Sequence, residues 1–100
     1  MNSRVKGNYA RRKAIEYLKN EGWDVAIVER TGRFIKEKDA FGIGDLLCFK
    51  QGHCLLVQVT CTRPHTQAPY RAFIKKHGSE YVSLWQMVYL KGGKWRFIKY

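Results

Sequence analysis

The sequence predicts an α/β fold, a mixed central sheet flanked by two helices, with elements in the order α-β-β-β-α-β-β. Three observations predict it. Residues 9–21 and 67–77 place apolar side chains at helical spacing, whereas the remaining apolar segments are short and alternate or run continuously. The most hydrophobic stretch, GDLLCFKQGHCLLVQVT at residues 44–60, is apolar on both of its faces, as strands covered on two sides are. The length of 100 residues, 45% of them hydrophobic, suits a single domain spanning 1–100 with its own core.

The first helix, YARRKAIEYLKNE, carries Ala10, Ala14, Tyr17 and Leu18 on one side, and Gly22 follows as its stop. At roughly 100° per residue, Arg11 lies beside that apolar stripe and Glu16 points nearly opposite. WDVAIVE, residues 23–29, alternates as a strand, and RTGRFIKEKDAFG is a charged, Gly-containing loop. Gln51-Gly52 predicts a two-residue hairpin turn. Lys50 then faces His53, Leu47 faces Leu56, and Asp45 faces Gln58. Alternation puts Asp45, Leu47, Phe49, Cys54, Leu56, Gln58 and Thr60 on one face, so the polar groups gather at one end of it. The second helix, QAPYRAFIKKH, has Pro69 in its first turn and a stripe of Tyr70, Phe73, Ile74 and His77. Two closing strands flank Gly92-Gly93. There is no internal repeat, low-complexity tract or linker.

Nineteen Lys and Arg against eight Asp and Glu give a formal charge of +11, which suits a polyanionic partner. The acids cluster between Glu16 and Asp45, leaving both ends of the chain basic. Nucleic acid fits first. An anionic membrane surface fits less well, because neither helix is long enough or apolar enough to need the membrane for its stripe. No apolar run reaches the ~20 residues that span a bilayer. The N-terminal residues are too polar for a secretory signal, and three cysteines cannot close a disulfide framework; both point to the cytoplasm.

Asp45 and Gln58 would each present an oxygen to one small volume. Hard cations such as Mg²⁺ take carboxylate, amide, water and phosphate oxygens, and polarise a bound phosphodiester. The same residues also read as a strand cap, with Gln58 hydrogen-bonded to Asp45. The pattern leaves both readings open. Basic residues Arg11, Arg12 and Lys13 on the first helix, and Arg71, Lys75 and Lys76 on the second, are candidate phosphate contacts.

DAFGIGDLLCF, residues 39–49, followed by LLVQVT, residues 55–60, resembles the PD-(D/E)XK nuclease superfamily. The nearest branch is the small Holliday-junction resolvases and resolvase-like phage and prokaryotic nucleases. The resemblance extends over the opening helix with its EGWDV end, the basic second helix and the closing KWRFIKY strand. It implies a restriction-endonuclease-like α-β-β-β-α-β core, hydrolysis of branched or structured DNA with Mg²⁺ or Mn²⁺, and a homodimer; RNA is not excluded. Carried over by position, the family's metal-binding aspartate matches Asp45 and its Glu/Gln matches Gln58. The family's catalytic lysine falls on Thr60, which has no positive charge to give. Its first-helix glutamate falls on Arg11. These departures leave two expectations: a metal-dependent nuclease in which Asp39 and one of Lys50, Lys75 or Arg11 compensate, or a nuclease-fold module that binds nucleic acid without cutting.

Zinc would need four converging ligands from Cys48, Cys54, Cys61, His53 and His65, but Cys54 and Cys61 project to opposite faces; free buried cysteines account for them better. Trp23, Trp85 and Trp95 lie on strands, where core packing is favoured over base stacking. His77 reads as a packed helix residue. His65, ahead of the second helix, is within reach of a phosphate.

Overall fold

The computed structural model describes residues 3–28 and 44–100, with the backbone alone for 3–6. The charged loop expected at 30–42, including Asp39, lies outside the described residues. The elements are α1 (Ser3–Asn20), β1 (Asp24–Ile27), β2 (Leu46–Lys50), β3 (His53–Cys61), α2 (Ala68–His77), β4 (Val82–Leu90) and β5 (Lys94–Lys99). They form a five-stranded sheet in the order β1-β2-β3-β4-β5. All neighbours are antiparallel except β3 and β4, whose parallel pairing requires the crossover that α2 supplies.

Local chemistry sets the frame. Helix α1 starts at Ser3 rather than Tyr9, because its first turns lack the apolar residues that make helical spacing visible. Its end is a Schellman motif: Gly22, at φ +94°, sends its N–H to the Lys19 carbonyl, and Trp23 sends its own to Leu18, at 3.0 Å each. Gln51 (φ 50°) and Gly52 (φ 78°) make the mirror-image turn whose twist matches a tight hairpin. The register follows, with Leu47 opposite Leu56 and Lys50 opposite His53. Strand β1 is shorter than expected and largely exposed at the sheet edge.

Each helix covers one face. Ala14 and Leu18 of α1 pack on Leu46, Cys48, Leu55, Val57 and Met87, all fully buried. On the other face Tyr70 of α2 packs with Leu56 and Leu84, joined by Leu47, Phe73, Ile74 and Tyr100. Each fully buried leucine contributes about 1.5–3 kcal/mol, so the α1 face carries most of the apolar stabilisation. Trp23, Trp85 and Trp95 are half-buried against the α1-side core. His77 departs from expectation. It is exposed in the last helical position, its ring touching only the edge of the cluster through Phe73, 5.0 Å between centroids. No described helix is long and apolar enough to cross a membrane.

Candidate functional site

The site is built where three strands meet. Asp45 precedes β2 and is fixed by its backbone: its N–H donates to the Val57 carbonyl (3.0 Å), and its carbonyl accepts from Val28 (2.9 Å). Its carboxylate Oδ1 accepts the Val59 N–H at 3.2 Å. Asp45 thus grips β3 on both sides of Gln58. Alternation places Gln58 and Thr60 on the α2 face of β3, with Leu56. All three polar residues are buried: Asp45 is 8% exposed, Gln58 5% and Thr60 7%.

The strand-cap reading holds for Asp45 and fails for Gln58. The Gln58 amide does not bond Asp45. Its Nε2 donates weakly to the Val59 carbonyl at 3.4 Å, while Oε1 is buried with no partner. Thr60 Oγ1 is buried and unpartnered as well. Leaving a buried polar atom unpaired costs about 1–3 kcal/mol, so two of them beside a carboxylate need a reason. Hard oxygen donors of this kind suit Mg²⁺ or Mn²⁺. Among the described residues no group of three His, Cys, Asp or Glu could hold a metal by itself. With one carboxylate present, an ion held here would have to draw most of its oxygens from water and a phosphate.

Thr60 borders an open cleft of about 700 Å³, lined also by Gly7, Arg63, His65, Pro69 and Tyr70; Asp45 and Gln58 lie behind it and do not line it. The cleft sits outside the carboxyl end of β3, on the side where open α/β sheets place their ligands. The loop forming its wall is tied down. Thr62, in the left-handed region at φ 67°, donates its N–H to the Tyr89 carbonyl (3.1 Å). Gln86 of β4, fully buried and paired in register with Gln58, accepts the His65 N–H through Oε1 (2.8 Å). Its Nε2 donates to the His65 carbonyl (3.3 Å) and to Tyr100 Oη (2.7 Å).

The basic residues divide between the two faces. On α1, Arg11 donates to Asn8 Oδ1 at 2.6 Å, and Arg12 and Lys13 lie 5.8 and 5.6 Å from the Tyr9 ring centre. Lys13 also pairs with the exposed Glu16 at 3.8 Å, which fixes that acid away from the sheet, as its helical phase requires. On α2, Arg71 donates to Gln67 Oε1 (2.8 Å) near the cleft, while Lys75 and Lys76 are exposed in the last turn. Lys50 cannot replace the missing lysine. It stands at the turn end of the hairpin, opposite Asp45, and its Nζ donates to the Glu21 carbonyl at 2.8 Å. Arg11 sits on the helix covering the face opposite Gln58 and Thr60, close to Ile27 at the sheet edge.

Three features of the cleft were not singled out from the sequence. Gln86 stands in LWQMVYL, where a lone amide inside an apolar strand was the available signal. Arg63 and the clamped backbone of His65 depend on how the loop folds. The cysteines are free; Cys48 is fully buried, and burial pushes its thiol up to about 12.

No family model and no curated protein matches the sequence. A solved structure does match in fold: the Holliday junction resolvase Hjc of the archaeal hyperthermophile Archaeoglobus fulgidus, with a TM-score of 0.65 at 16% identity. The alignment covers 93% of this chain and 76% of that one. The architecture is the α/β, mixed-sheet arrangement expected of a restriction-endonuclease-like fold.

Proposed function

We propose that this chain is a small nuclease of the resolvase type, a single domain that hydrolyses phosphodiesters in branched or otherwise structured DNA with Mg²⁺ or Mn²⁺. One observation carries the reading. The Asp45 carboxylate bonds the Val59 N–H, between Gln58 and Thr60, whose buried amide oxygen and buried hydroxyl have no partner, in a chain of charge +11. Asp45 and Gln58 Oε1 would hold the ion, and Thr60 borders the reacting phosphate. When bound, the ion would polarise the phosphate and make a water more acidic.

Arg71 and Arg63, beside the cleft, would hold phosphates next to the site; Arg11, Arg12, Lys13, Lys75 and Lys76 would hold the flanking backbone or a second arm of the substrate. The fold likeness to a Holliday junction resolvase supports branched DNA as the substrate class and a homodimer as the working unit. A cytoplasmic location accords with free cysteines.

A second reading is favoured by a specific observation: among the described residues the site has only Asp45 as a carboxylate, and Thr60 stands where a lysine is expected. On that reading the fold binds DNA without cutting it. Incubation with linear duplex, four-way-junction and single-stranded DNA, each with Mg²⁺, Mn²⁺ or EDTA, separates the two. The nuclease reading expects metal-dependent cutting that Asp45→Asn abolishes while binding persists. Steeply salt-dependent binding with no cutting under any metal sinks it in favour of the module, and failure to bind at low salt sinks both.

A further inference from the structure

We infer that His65 is the general base of this site, taking the proton from the attacking water in place of the missing lysine; the inference rests on the nuclease reading above. None of the three buried polar residues is suited to that task. Asp45 Oδ1 is engaged by the Val59 N–H, and an amide or a hydroxyl does not accept a proton near neutral pH. Among the described residues lining the cleft that holds Thr60, His65 is the one that offers a ring-nitrogen lone pair.

Its placement is held more firmly than loop closure requires. A fully buried glutamine, Gln86, grips both the N–H and the carbonyl of His65. Gln86 is the register partner of Gln58 on the neighbouring strand, and neighbouring strands lie about 4.8 Å apart. The clamp therefore ties the backbone of His65 to the residue that neighbours Gln58 across the sheet. The ring is fixed too. Its Nδ1 lies 3.1 Å from Tyr70 Oη, and Tyr70, 2% exposed, stacks on Tyr100 at 5.5 Å and 15°. Tyr100 Oη in turn accepts from Gln86. The four residues close a ring of contacts around one exposed imidazole. The proposal requires the tautomer in which Nδ1–H donates to Tyr70 Oη, leaving the Nε2 lone pair free.

The step balances simply. As the water oxygen bonds to phosphorus, Nε2 takes its proton. The bond from phosphorus to the leaving sugar oxygen breaks with its electron pair on that oxygen, which solvent protonates. The imidazolium then releases its proton to solvent. Among the described residues, the titratable and charged groups around His65 are Arg63 from its own loop, Cys61 at the end of β3, Tyr70 from α2 and Tyr100 beyond β5; α1 reaches the cleft at Gly7.

The test is single-turnover cleavage of four-way-junction DNA across about pH 5 to 8, the range in which imidazoles change charge. It compares wild type, His65→Ala and Tyr70→Phe with saturating Mg²⁺ and again with Mn²⁺. His65→Ala is expected to lose about 10²–10⁴-fold in rate, the usual contribution of a general base. It should also lose the rising limb of the wild-type pH profile, keep wild-type DNA affinity and recover part of its rate in added imidazole. The wild-type limb should stand at the same pH with both metals, and Tyr70→Phe should lose less. Because His65 is exposed, its truncation leaves the core intact, and imidazole rescue cannot come from an unfolded chain. If His65→Ala cuts at the wild-type rate with the wild-type profile, the inference falls and the nuclease reading stands. A slow variant that keeps the profile and ignores imidazole makes His65 structural and also overturns the inference. A wild type that binds junctions yet cuts none under any metal overturns both.

Discussion

Replacing Thr60 by valine should stabilise this protein while damaging its site. Thr60 is 7% exposed, and its hydroxyl oxygen is buried without a partner. Valine keeps the branched shape, suits the strand equally well and puts a methyl where the hydroxyl was. Relief of an unpaired buried hydroxyl is worth about 1–3 kcal/mol. Burial of the new methyl adds up to about 0.8 kcal/mol, less whatever the compact unfolded chain already buries. A net gain of about 1–2 kcal/mol is expected, which for a chain of this size raises Tm by roughly 4–15 °C. Urea and thermal denaturation followed by circular dichroism, in EDTA and without DNA, measure it. An unchanged or lower stability would refute the reasoning, because the hydroxyl would then have a partner in solution and need no ligand to explain it. The same variant should cut junction DNA more slowly. Opposite signs for stability and activity are what a residue kept for function produces.

Other parts of the account can be checked as directly. Gly22→Ala should cost about 1–2 kcal/mol in urea denaturation, through the left-handed backbone rather than a clash, since the added Cβ would meet Lys50 Cε at an ordinary 3.5 Å; a loss under ~0.5 kcal/mol would dismiss the Schellman geometry. In native protein Cys54 and Cys61 should react with a thiol reagent well before Cys48, and rapid labelling of all three would contradict the burial of Cys48. The folded Cys48 thiol holds its proton more tightly than the unfolded chain, from an ordinary 9.0 up to about 12. Its contribution to stability is therefore full below pH 9 and is lost as pH rises toward 12, so Cys48→Ala should show a shallower alkaline decline. Arg71→Ala should weaken binding to all DNA sequences alike and lower the slope of log K against log salt by about 1. An unchanged slope would remove Arg71 from the phosphate contacts.

What the sequence made legible was local. The hairpin register could be read because Gln51-Gly52 dictates the turn and a one-residue slip would move every apolar side chain to the wrong face. That register is observed from Leu46 opposite Val57 to Lys50 opposite His53; the expected pairing of Asp45 with Gln58 falls just beyond it. The start of α1 could not be read, because its basic first turns have no apolar spacing to reveal them. The role of Lys50 was misjudged for a related reason. Nearness to Asp45 in sequence becomes separation along a strand, and five residues carry Lys50 to the far end of β2. His65 was legible as a residue near phosphate, but its clamp by Gln86 was beyond reach in a deeper sense. Their meeting depends on the parallel register of β3 with β4 and on a loop folded back across it, neither of which leaves a periodic trace.

The claim on which the rest depends is that Asp45 and Gln58 together form a cation site. Titration of isotope-labelled protein, bound to a short DNA duplex, with paramagnetic Mn²⁺ tests it at the residues themselves. The account predicts that nuclear resonances of Asp45, Gln58, Val59 and Thr60 broaden first, and that Asp45→Asn abolishes the effect. Broadening centred elsewhere, or equal broadening in Asp45→Asn, would contradict it.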